Sequence, residues 1–60
     1  MGDTLMPQIT GHWVRTAHGE GRVESVLWCA TDGLWYARVR IGLGRDAQVF
    51  DVRIDQLQPA

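Results

Sequence analysis

Sixty residues with six arginines, no lysine and seven carboxylates give a formal net charge of -1 and room for one small domain. At this length only about 60% of the unfolded surface is buried on folding, so a disulfide, a metal or self-association is expected to add stability. The charge balance argues against a protein that merely coats a phosphate backbone, because such surfaces are basic enough to release counterions.

Residues 1–8 read as an N-terminal arm joined at Met6 and Pro7 to a domain over residues 9–60. Gly11 opens the first strand, in which Val14 points inward and Trp13 and Arg15 point out. Residues 17–21 turn, with Gly19 and Gly21 free to take a positive φ. The second strand covers residues 22–30. Its step from Val23 to Val26 spans three positions, which breaks the period of two and predicts a bulge at Glu24 and Ser25. Thr31, Asp32 and Gly33 supply a hairpin turn. Residues 34–41 then alternate without a fault: Trp35, Ala37, Val39 and Ile41 face the core, and Tyr36, Arg38 and Arg40 face away. After a turn over 42–46, residues 47–52 form a fourth strand with Val49 on the side opposite Gln48 and Phe50. Residues 53–56 have the length of one 3₁₀ turn, and Leu57 starts a brief last strand that Pro59 ends. The order predicts an all-β fold: a five-stranded small barrel with one 3₁₀ turn before the last strand.

The chemistry-bearing residues are few. Ser25, His12 and His18 stand in no nucleophile and base motif, so no catalytic residue is expected. His12, His18 and Cys29 have no CxxC or HxxxH spacing, which gives no expectation of a metal. Cys29 is the only cysteine. It cannot form an internal disulfide, fits a reducing cytoplasm, and beside Trp28 reads as an apolar filler. No apolar run approaches the ~20 residues of a membrane span, and MGDTLMPQIT has no basic leader, so neither anchor nor signal peptide is expected.

Binding chemistry is better represented. Trp13, Trp28, Trp35, Tyr36 and Phe50 each bury ~150–250 Å² when enclosed, more than so small an interior holds. With Trp35 inward, Tyr36 emerges beside Arg38 and Arg40, and an inward Val14 sends Trp13 out. Rings beside arginines stack on bases or grip a protein surface, which makes Trp13, Tyr36, Arg38, Arg40 and Arg53 the candidate binding residues. The plainer alternative is that these rings pack under the arm or against a second copy of the chain.

The runs GHWVR (residues 11–15) and GEGRV (residues 19–23) resemble the SH3-like small barrels of the KOW and Tudor-like group. Within it the chain is similar in particular to the Tudor-like tails of bacterial DNA helicases and to transcription-associated barrels. The resemblance covers residues 11–59. It implies a non-enzymatic cytoplasmic module of bacterial nucleic-acid or transcription machinery, with a protein or nucleic-acid partner and no cofactor. A narrower resemblance joins AQVF (residues 47–50) and WCAT (residues 28–31) to VQIY and WYCT of the plasmid-borne type II dihydrofolate reductases, which are tetrameric barrels around one pore. It implies an alternative pore site at Gln48, Val49 and Phe50 for folate and NADPH. Phe50 stands where that family has tyrosine, and its pore lysine has no counterpart here.

Overall fold

The computed structural model describes residues 6–60. Their apolar alternation resolves into five strands: β1 (Trp13–Thr16), β2 (Gly19–Cys29), β3 (Leu34–Ile41), β4 (Gln48–Arg53) and β5 (Gln58–Pro59). All neighbours are antiparallel in one sheet of order β4-β3-β2-β1-β5. The expected 3₁₀ turn precedes β5 at Ile54–Gln56, and a further one, Gly44–Asp46, lies within the loop between β3 and β4. Of the arm expected over residues 1–8, residues 1–5 lie outside the described residues; Met6, Pro7 and Gln8 belong to no strand.

Hydrogen bonding does not close this sheet into the expected barrel. β4 and β5 remain its two edges. The reason lies in β5, which has two residues, pairs with β1 only at Val14↔Pro59 and Arg15↔Gln58, and ends on a proline that has no N–H to donate.

One core lies on the concave side. Val14, Val23, Ala37, Val39 and Val52 from four strands are buried together, and Ile9, Val26, Ile41, Phe50, Ile54 and Leu57 pack around them. β3 organises it, because Ala37 and Val39 are 0% exposed and their strand is paired on both sides. The predicted bulge is present: register shifts between Val23, opposite Val39, and Ser25, opposite Arg38. An extra residue there keeps both Val23 and Val26 on the core side despite their odd spacing.

The turn between β1 and β2 is shorter than the expected 17–21. Register runs to Thr16↔Gly19, which leaves Ala17 and His18 as the loop. Buried Thr16 closes it: its hydroxyl donates to the Gly19 carbonyl at 3.0 Å and accepts the His18 N–H at 2.9 Å. Gly19 does take a positive φ of 124°, whereas Gly21 does not and is required for space. A Cβ on Gly21 would lie 2.7 Å from both Val39 Cγ1 and Ile41 Cγ1, and closer still to the Arg40 carbonyl.

Gly21→Ala is therefore expected to cost at least ~1–3 kcal/mol by overpacking. Gly33→Ala sits in open space at φ 66° and should cost about 1–2 kcal/mol of left-handed strain alone. Urea unfolding of both variants checks the ranking, and a Gly21→Ala protein as stable as the parent contradicts the packing account.

Candidate binding surface

The convex side of the sheet is built in rows by strand register. One row runs Trp13, Arg22, Arg40, Val49 across β1 to β4. The next carries Ser25, Arg38 and Asp51, and a third Leu27, Tyr36 and Arg53. Trp13, Tyr36, Arg38, Arg40 and Arg53 thus share one face, which two periodic strands and a bulge suffice to produce. Trp13, at its β1 edge, is 60% exposed.

The arginines of this face already hold carboxylates. Arg40 Nε donates to Glu24 Oε2 at 2.5 Å, Arg38 Nε to Asp51 Oδ1 at 3.2 Å, and Arg53 Nη2 to Asp55 Oδ2 at 2.6 Å. Arg15 pairs with Glu20 at 2.9 Å on the same side. Arg22 instead donates to the Gly11 carbonyl at 3.1 Å. Exposed pairs of this kind contribute only ~0.2–1 kcal/mol each, so they neutralise the face more than they stabilise it.

Tyr36 is fixed at the hairpin end. Its hydroxyl donates to Asp32 Oδ2 at 2.5 Å, and that bond, followed by slight desolvation and the Asp32 charge, raises the phenol above its usual pKa. Hydrogen bonding to Asp55, with its charge, likewise raises Arg53. Cys29 is half-buried and lies on the Tyr36 side, opposite Leu34, so it is not the enclosed filler expected from its neighbour Trp28. The thiol lines a shallow cavity of about 230 Å³ with Leu27, Tyr36 and Asp51.

Gln48, Val49 and Phe50 do not form one wall within the chain. Gln48 pairs with Ile41 and Phe50 with Val39 on the core side, whereas Val49 pairs with Arg40 on the outer side. One ring face of Phe50 is covered by His18, stacked at 4.0 Å and 5°.

Two arrangements escaped the sequence reasoning. The His18 and Phe50 stack joins a turn to an edge strand and left no local signal. Trp28 and Trp35 are direct cross-strand partners, packed edge to face at 5.4 Å and 61°. Counting outward from the Asp32-Gly33 turn would have found that pair, since Cys29↔Leu34 and Trp28↔Trp35 follow from the hairpin register.

Among the described residues, no three His, Cys, Asp or Glu side chains are grouped to hold a metal, and no helix is long and apolar enough to cross a membrane. No protein-family model matches the chain, and neither does any curated protein or solved structure.

Because Tyr36 is the only tyrosine, absorbance near 295 nm reports it alone. Its midpoint is expected above the ordinary value of about 10 and should fall towards it in Asp32→Asn. The folded-state pKa is raised, so the stabilisation from this bond is present below pH ~10 and lost as pH climbs through the folded midpoint. A midpoint equal in parent and variant contradicts the bond.

Proposed function

We propose that the chain is a non-enzymatic binding module whose convex face, from Trp13 across Arg40 and Arg38 to Tyr36 and Arg53, grips a protein partner. The supporting observation is the charge pairing: Arg38, Arg40 and Arg53 each carry a carboxylate of the same chain. A phosphate backbone would have to displace three acids, whereas a protein surface can exchange with these pairs one for one and cover the ring of Trp13. Aromatic and arginine side chains are also those enriched at the energetic centres of protein interfaces. Membership in bacterial nucleic-acid or transcription machinery, in the cytoplasm, rests on the likeness of GHWVR and GEGRV to the KOW and Tudor-like barrels. Strand order β5-β1-β2-β3-β4, with a 3₁₀ turn before β5, is compatible with that likeness.

Two assays separate the ligands. Fluorescein-labelled single-stranded and duplex DNA are expected to show no saturable binding at physiological salt. Affinity capture from bacterial cytosol should retain a protein that survives 0.5 M salt and is lost with Trp13→Ala and Arg40→Glu. DNA binding that weakens steeply with salt and disappears in Arg38→Ala or Arg40→Ala overturns the choice of a protein partner.

A further inference from the structure

On the concave side, away from the proposed convex face, the hairpin of β2 and β3 outruns its neighbours. β1 pairs no further along β2 than Arg22, and β4 no further along β3 than Tyr36, so Trp28 and Trp35 stand on a two-stranded end. Trp28 is 47% exposed there. The two indoles, Leu34 and Ile54 line a cavity of about 290 Å³ that the chain's own Pro7 completes.

Two features show that this seat is provisional. The Trp35 Nε1 atom is enclosed and has no hydrogen-bond acceptor, an omission that buried donors rarely tolerate. The carbonyl of Pro7 does not accept from it, and backbone bonding between this segment and β2 starts only at Gly11, whose N–H donates to Val23 O at 2.7 Å. Of residues 6–8, Pro7 alone lines the tryptophan cavity, and no backbone bond to β2 ties it there.

We infer that the Trp28 and Trp35 cavity is a binding site for an extended, proline-containing segment of a partner protein, and that Pro7 occupies it as a displaceable strap. Pro7 shows which chemistry the seat accepts: a ring that packs on indole and a backbone nitrogen with no N–H to leave unsatisfied. A polyproline-type segment offers such rings repeatedly on a preformed backbone whose carbonyls all remain free. One of those carbonyls can accept from Trp35 Nε1–H once the strap has moved. The strap lowers apparent affinity by the fraction of time that it is seated.

The test is a titration of the ¹⁵N-labelled full chain with a ten-residue polyproline peptide and, as control, a ten-residue Gly-Ser peptide. The indole N–H signal of Trp35 is expected to move downfield with polyproline only, while that of Trp13 stays in place. Pro7→Gly should tighten binding severalfold. Trp28→Ala should abolish it, and Trp28→Phe, which preserves a ring, should retain it in part and show that the loss is not unfolding. Trp13→Ala should leave it unchanged, which separates this site from the convex face. An unmoved Trp35 signal in both the parent and Pro7→Gly at millimolar peptide overturns the inference. So does an equal response to the Gly-Ser peptide, or a shift with protein concentration alone, which would make a second copy the occupant.

Discussion

The structure depends on the parity of β3. That strand lies inside the sheet, paired to β2 on one side and β4 on the other, and its alternation is anchored by Ala37 and Val39, both 0% exposed. A slip of one residue would bury Tyr36, Arg38 and Arg40 and expose the core, so register is fixed by the cost of desolvating guanidinium groups as well as by apolar burial. The bulge at Glu24 and Ser25 lets β2 obey the same parity, and Glu24 then reaches Arg40 on the outer side. Gly21 completes the fit where β2 crosses the Val39 to Ile41 stretch of β3.

From that parity two unlike surfaces follow. The convex side is polar but nearly neutral, because strand rows set arginines beside carboxylates across β2, β3 and β4. Its ion pairs are exposed and contribute little to stability. The concave side is apolar, and beyond the shared core it runs out along a two-stranded ribbon whose tryptophan pair needs cover, since ribbons of this kind are marginal alone. Pro7 and Ile54 give that cover in part. The proposed convex face and the proposed tryptophan seat lie back to back, an arrangement that would let one small domain bridge two partners.

Much of this was legible in the sequence, for identifiable reasons. β3 has the predicted bounds, and its two faces alternate from Trp35 to Ile41, while the odd spacing of Val23 and Val26 announces the bulge. The hairpin turn was equally plain from Asp32-Gly33, and Gly33 adopts a φ of 66°. The outward placement of Trp13, Tyr36, Arg38 and Arg40 follows from period alone. Less legible was the β1 to β2 turn: Gly19 and Gly21 suggest a wide bend, whereas the Thr16 hydroxyl closes a tight one. Closure could not be read at all, because it turns on how far a two-residue strand pairs. The partners of the arginines were hidden too, since Glu24 meets Arg40 only after the bulge has reset the register.

Native-state labelling of single cysteines tests this parity most directly. In a Cys29→Ser background, residues 36–40 are replaced one at a time by cysteine and reacted with a water-soluble maleimide. Thiols at 36, 38 and 40 are expected to react at close to the rate of the unfolded chain, and those at 37 and 39 only as fast as the domain opens. Rapid labelling at 37 and 39, with protection at 38 and 40, would contradict the account.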